Sequence, residues 1–266
     1  MAEKLLFADS VKDAVRMKDS GAAFLAGGTE INRLDSTVCA GTLIDIHKIP
    51  ELKEIKKDKD TVWIGSAVTF QNVVENDIVP AYFKDACLMM ASRTKRNMAT
   101  IGGNIALIRD DSYIIPCLLG AKASVVYCDK DGKETETCIC KYSESVANGE
   151  LEDALILKIG LSTTRKVLNK RYANTAMSHS FLNVSCGMDA DGKNPTIGVA
   201  LKNVGIFRMK CLEGELESGN SLSEENIQSV LKRCDSLSIP DDMYGSKEYK
   251  RYLLGTTVAK LISDLG

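Results

Sequence analysis

Two double-glycine segments, Leu25-Ala26-Gly27-Gly28-Thr29-Glu30-Ile31 and Thr100-Ile101-Gly102-Gly103-Asn104, carry the clearest chemical signal in this chain. Adjacent glycines let a backbone turn with positive φ and let N–H groups approach a ligand with no Cβ in the way. Two such turns in one domain suggest two sides of a clamp around a phosphate-rich cofactor. Thr100 and Asn104 can each hydrogen-bond a phosphate or a ribose. Neither segment matches G-x-G-x-x-G, and no Walker A run occurs, so an ordinary Rossmann or P-loop site is disfavoured.

Other candidate chemistry is weaker. Asp110-Asp111 could be a carboxylate pair, but a helix N-terminal charge is the better reading. Ser178-His179-Ser180 has no acid partner identifiable in the sequence. Tyr249-Lys250-Arg251-Tyr252 sits on a helical pattern whose Leu253, Val258 and Leu261 face the core, which leaves the charges in solvent. The 9 cysteines include no C-x-x-C pair. Strand alternation would put Cys138 and Cys140 on one face. Reduced thiols, many buried as small hydrophobes, are the expectation, with no metal site. The 2 histidines, His47 and His179, are far apart, which argues against a His-rich metal centre.

These residues need elements to position them. Ser10 has capping-box spacing to Asp13 and opens a helix through Met17, with Gly21 as its stop. A short strand over 22–26 leads into Gly27-Gly28. A second strand spans 42–46, and strands over 52–55 and 61–64 form a hairpin. Thr69 caps a helix through Val74. Pro80 begins a longer helix through about Arg93, with Phe83, Ala86, Cys87 and Met90 on one face. Ser112 or Asp111 caps the helix that contains Pro116. Strands over 123–128 and 134–140 flank an Asp-Gly turn. A strand over 155–159 follows. Further strands over 167–172, 181–188, 196–204 and 209–213 read as a meander. Helices over 223–234 and 247–262 complete the chain. Strands first and helices after suggest a separate α+β domain from about residue 164.

The 266 residues, 44% hydrophobic and 26% charged, are enough for two domains. A formal net charge of -2, with Lys and Arg spread along the chain, excludes a basic nucleic-acid binder. No apolar run approaches the ~20 residues of a membrane span, and the start lacks a signal-peptide core. A cytoplasmic protein is the expectation.

The string 92–105, Ser-Arg-Thr-Lys-Arg-Asn-Met-Ala-Thr-Ile-Gly-Gly-Asn-Ile, resembles the flavin-domain signature of the molybdenum hydroxylases, the family of xanthine dehydrogenase and aerobic carbon monoxide dehydrogenase. The run 26–31 resembles that family's first flavin loop, 116–123 fits the stretch downstream, and 246–255 resembles its last helix. The resemblance covers essentially the whole chain in order. It implies an α+β fold: a two-part FAD-binding domain of the vanillyl-alcohol-oxidase type over 1–163, with pieces at about 1–55 and 56–163, then a small C-terminal α+β domain with an antiparallel sheet over 164–266.

The resemblance also implies that both glycine segments hold the FAD pyrophosphate through backbone N–H groups, with side-chain help from Thr29, Thr100 and Asn104. Ile156 matches an aliphatic position beside the flavin, and Lys170 a lysine near its pyrimidine ring. A cation there would stabilise reduced flavin. The implied role is an electron-transfer subunit between a 2Fe-2S subunit and NAD or another acceptor. A separate subunit would hold the molybdenum cofactor. This chain lacks cluster cysteine spacing and is too short for a molybdenum domain. Two other readings stay open: a self-contained flavin enzyme, which would need a proton donor the sequence does not offer, and a flavin-free structural or assembly subunit. Tyr113, where relatives commonly follow serine with aspartate, and Met90, where some have an aromatic, motivate the last.

Overall fold

A computed structural model describes residues 4–18, 21–33, 36, 41–218, 224–233 and 238–266. The chain divides into two compact units. The first comprises Met1–Val79, Met90–Leu107 and Ala123–Leu161, and the second Pro80–Met89, Ile108–Lys122 and Ser162–Gly266. The segments Pro80–Met89 and Ile108–Lys122, which precede the expected boundary near 163, therefore pack within the second unit.

The first unit starts with β1 (Lys4–Phe7), α1 (Val11–Met17), β2 (Ala22–Leu25) and β3 (Thr42–Asp45). The strands form a parallel sheet in the order β1-β3-β2. Local chemistry sets these bounds. The Asp13 N–H donates to Ser10 Oγ at 3.1 Å, and Gly21 enters β2 at φ +94°. A 3-10 turn, Pro50–Lys53, is followed by β4 (Ile55–Asp58) and β5 (Thr61–Gly65). The hairpin is as expected, but its first strand begins three residues later, because Pro50 opens the turn that buries Leu52.

Next come α2 (Phe70–Glu75), α3 (Ala81–Leu88), α4 (Arg93–Met98), α5 (Ile101–Ala106) and α6 (Ile114–Gly120). The expected helix over 80–93 thus stops at Leu88, and a second helix begins at Arg93. Ser92 caps a new start by accepting from the Lys95 N–H, and Arg96 Nη1 donates to the Met90 and Ala91 carbonyls at the break. The sheet is completed by β6 (Ser124–Cys128), β7 (Glu134–Cys138) and β8 (Leu155–Ser162), in the order β4-β5-β8-β6-β7. Between them lies α7 (Ile139–Ala147). Cys140 is on that helix, so the two thiols do not share a strand face. Cys138 Sγ instead caps α7 by accepting from the Lys141 N–H. A core of Ala14, Val15, Ile44, Leu52, Val126, Leu155 and Leu157 joins both sheets.

The second unit is built on an antiparallel meander: β9 (Lys166–Tyr172), β10 (Leu182–Met188), β11 (Thr196–Leu201) and β12 (Gly205–Arg208). Residues 209–213 are not the fourth strand. They belong to α8 (Lys210–Glu217), because the Glu213 carboxylate turns back to accept the Ile197 N–H at 2.8 Å and to pair with Arg208. Then follow α9 (Glu224–Arg233) and α10 (Lys247–Leu265). Ser223 and Cys234, the expected ends of α9, lie outside the described residues. Leu254, Val258, Leu261 and Leu265 of α10 pack with Val184, Cys186 and Leu182. Lys250 departs from the solvent-facing expectation: it is 1% exposed and paired with Asp242. Among the described cysteines six form no disulfide, four of them buried, but Cys211 is disulfide-bonded, against the expectation of reduced thiols. Among the described residues no helix is long and apolar enough to cross a membrane, and no metal-ligand cluster occurs.

Candidate functional site

The first glycine pair leaves β2 where its parallel ladder ends at Leu25. A Cβ on Gly27 would stand 1.7 Å from the Met98 carbonyl oxygen, so only glycine fits. Gly28 follows at φ +66°, a conformation that side chains resist. The Asn32 N–H then closes on the Gly28 carbonyl at 3.1 Å, and Glu30 pairs with Arg33 at 3.2 Å. Among the described residues nothing accepts from the N–H groups of Gly27, Gly28 or Thr29. Three successive unengaged amides around a positive-φ glycine are the kind of backbone turn that can receive an anion. The turn fits a pyrophosphate.

The second pair is built differently. Thr100 is the N-cap of α5, and Gly102 and Gly103 are its first-turn residues, neither with positive φ. Their amides are engaged within the chain. The Gly102 N–H donates to the Ser66 carbonyl at 2.8 Å, the Gly103 N–H to Thr100 Oγ1 at 3.2 Å, and the Asn104 N–H to the Thr100 carbonyl at 3.1 Å. Gly102 is required by contact, since a Cβ there would lie 2.5 Å from Ser66 Cβ. Gly103 is exposed and leaves a bare backbone edge. The expectation of two positive-φ turns is therefore corrected to one, Gly28. The other pair allows close approach at a helix start.

The two segments are joined through the first unit. Gly27 abuts Met98 and Ala99, immediately before Thr100. Thr69 bridges Thr100, and the Phe70 N–H donates to the Ala99 carbonyl at 3.0 Å. The Ser66 N–H donates to Leu157 at 2.9 Å, which brings β8 and its buried Ile156 beside α5. Leu25 to Ile31, Thr100 to Asn104 and Ile156 thus lie on one framework. Lys170 is the member of the expected set that belongs to the second unit. It is exposed, with Nζ 5.8 Å from the Tyr172 ring centroid. Its neighbours Leu168 and Tyr172 join the core that includes α10, so alternation puts Lys170 on that face and Asn169 and Arg171 on the other.

One arrangement escaped sequence reasoning. His179 does have an acid partner: Asp111 Oδ2 lies 3.0 Å from its Nδ1. Arg109 grips the same carboxylate through Nε and Nη2, each at 3.0 Å. Burial pushes the Asp111 carboxyl up, but His179 and Arg109 outweigh it and hold it well below the usual carboxylate range. Asp111 is therefore the hub of a polar cluster rather than a helix-end charge. Asp110 turns to Lys202 at 2.7 Å, and Ser112 Oγ accepts the Ile115 N–H in the first turn of α6. Tyr113 lies under the Arg171 guanidinium, and burial raises its phenol. Arg109, Asp111 and His179 meet only through the fold, and sequence spacing does not encode that.

Residues 2–161 match the protein family described as FAD binding domain in molybdopterin dehydrogenase. Over 273 residues the chain is 27% identical to the protein YgfM of Escherichia coli K12, covering 99% of this chain and 96% of that one. It is 22% identical to the carbon monoxide dehydrogenase medium chain of Hydrogenophaga pseudoflava, covering 92% and 89%. A solved carbon monoxide dehydrogenase from the same organism, lacking the Mo-pyranopterin moiety of its cofactor, matches with a TM-score of 0.84 at 20% identity. That match covers 100% of this chain and 97% of the other, and it establishes the likeness of fold.

Proposed function

This chain belongs to the family of FAD-binding domains of molybdopterin dehydrogenases, and from that premise we propose that it is the electron-transfer flavoprotein subunit of a molybdenum hydroxylase complex. It passes electrons between a 2Fe-2S subunit and NAD or another acceptor, while a molybdenum-cofactor subunit oxidises the organic substrate. The domain division is adjusted to the two units: FAD on the first, and an α+β second unit that takes in 80–89 and 108–122 as well as the C-terminal residues. The location is cytoplasmic.

The observation that carries this reading is the Gly27-Gly28-Thr29 turn, with three amides unengaged among the described residues and Gly28 at φ +66°. Bound FAD would supply the redox chemistry, since a flavin can exchange electrons singly with a 2Fe-2S cluster and in pairs with NAD. The chain's part is to bind and orient. The first turn donates N–H groups to the pyrophosphate. Gly103 gives backbone access, Thr29 and Asn104 offer polar side chains, and Ile156 supplies an apolar wall. Lys170 would favour negative charge on reduced flavin. No side-chain acid or base is needed for electron transfer. The subunit role is supported by relatives named as parts of assemblies, among them the 6-hydroxypseudooxynicotine dehydrogenase complex subunit alpha of Paenarthrobacter nicotinovorans.

The test is anaerobic. The complex purified with its native partners is reduced, and NAD is added. Reoxidation of a flavin band by NAD supports NAD as acceptor. Reoxidation only by an artificial acceptor keeps the electron-transfer role and replaces NAD. A complex with no flavin that passes electrons normally overturns the reading in favour of a structural subunit.

A further inference from the structure

Ser66 stands between two parts of the flavin framework. Its N–H donates to the Leu157 carbonyl on β8 at 2.9 Å, next to Ile156. Its own carbonyl accepts the Gly102 N–H at 2.8 Å. The main chain is therefore fixed on both sides. The side chain is pressed against the bare Cα of Gly102, with Ser66 Cβ 2.5 Å from where a Cβ would be on that glycine. The residue is 3% exposed, and among the described residues its Oγ has no hydrogen-bond partner.

Nearby donors are already engaged. The Gly103 N–H serves Thr100 Oγ1, and the Ala67 N–H serves the Leu52 carbonyl at 2.8 Å. Buried hydroxyls are nearly always paired, and an orphan costs stability that an alanine of similar size would not. The side chain stands against Gly102, in the first turn of α5 where the second glycine pair lies.

We propose that the Ser66 hydroxyl is a binding residue of the flavin site, hydrogen-bonding a polar atom of FAD held at the Gly102–Gly103 turn. The inference rests on the flavin reading and adds a residue that no glycine signature marks. It makes Ser66 a group whose orphan state weakens the flavin-free chain and whose pairing strengthens the loaded one.

The two effects have opposite signs, which makes the test specific. The full chain is stripped of flavin, and thermal melting is followed with and without FAD. FAD affinity is read from quenching of flavin fluorescence. Ser66→Ala is expected to melt above the wild type when flavin-free, to bind FAD about tenfold more weakly, and to gain less on adding FAD. Ser66→Cys, similar in size but a weak donor, falls between and carries the test should the alanine variant not fold. Wild-type FAD affinity in either folded variant overturns the inference. A wild-type chain that takes up no FAD overturns the flavin reading itself, and this with it.

Discussion

Gly27 lies against the end of α4 so closely that a Cβ would stand 1.7 Å from the carbonyl oxygen of Met98. That contact ties the loop after β2 to the segment that delivers Thr100 and α5. It makes the first glycine of the pair a packing residue and the second, Gly28, a conformational one.

The two glycines should therefore fail differently. Gly27→Ala forces a main-chain shift and should lower the melting temperature as well as FAD content. Gly28→Val, at φ +66°, costs about 1–2 kcal/mol in backbone conformation and turns the amides away. The expected result is a folded chain with little flavin. Wild-type flavin content in folded Gly28→Val would remove the anion turn from the account.

Gly103 is exposed at the first turn of α5, and a Cβ there would meet only Thr100 Oγ1, at 2.9 Å. Gly103→Ala should leave stability within about 1 kcal/mol, since alanine favours a helix while the cap is crowded. FAD affinity should fall, because the added methyl covers the open backbone edge. Equal affinity in equilibrium titration would return Gly103 to a purely helical role.

Lys170→Met should leave FAD binding largely intact and lower the flavin reduction potential, because a cation that favours negative charge on reduced flavin is lost. Potentiometric titration of the two forms makes the comparison. An unchanged potential would leave Lys170 as the exposed strand lysine beside Tyr172.

Asp111, gripped by Arg109 and His179, should be the stability hub of the second unit. Asp111→Asn should cost about 2–4 kcal/mol, less than for a fully buried pair because His179 is half exposed. Its folded carboxyl is held low, so its contribution is fully present above the unfolded range of about 3.9 and fades as pH falls towards the folded value. Denaturant melts should give a gap between wild type and variant that narrows well below about pH 4. A gap that widens in acid would contradict the sign.

What was legible in the sequence was what local chemistry decides. Ser10 and Thr69 each accept an amide three residues on, and each opens the helix expected there. The Gly132 turn at φ +80° joins β6 to β7 as Asp-Gly patterning suggests. What was not legible depends on partners far along the chain. Arg96 breaks the expected long helix by reaching Met90, Ala91 and Gln71. Glu213 makes a helix of a strand-like run by reaching Ile197. In the site, the glycines were visible as letters, but which needed positive φ and which needed close approach depended on Met98 and Ser66. His179 met Asp111 only once β9, β10 and the segment before α6 were folded together.

The most direct measurement is the visible absorption spectrum of the protein purified with its native partners, followed by acid release and identification of the flavin. Bands near ~370 and ~450 nm with about one FAD per chain are predicted for a flavoprotein subunit. A complete complex without flavin, unchanged by added FAD, would contradict the account and leave a scaffold that has the fold without the cofactor.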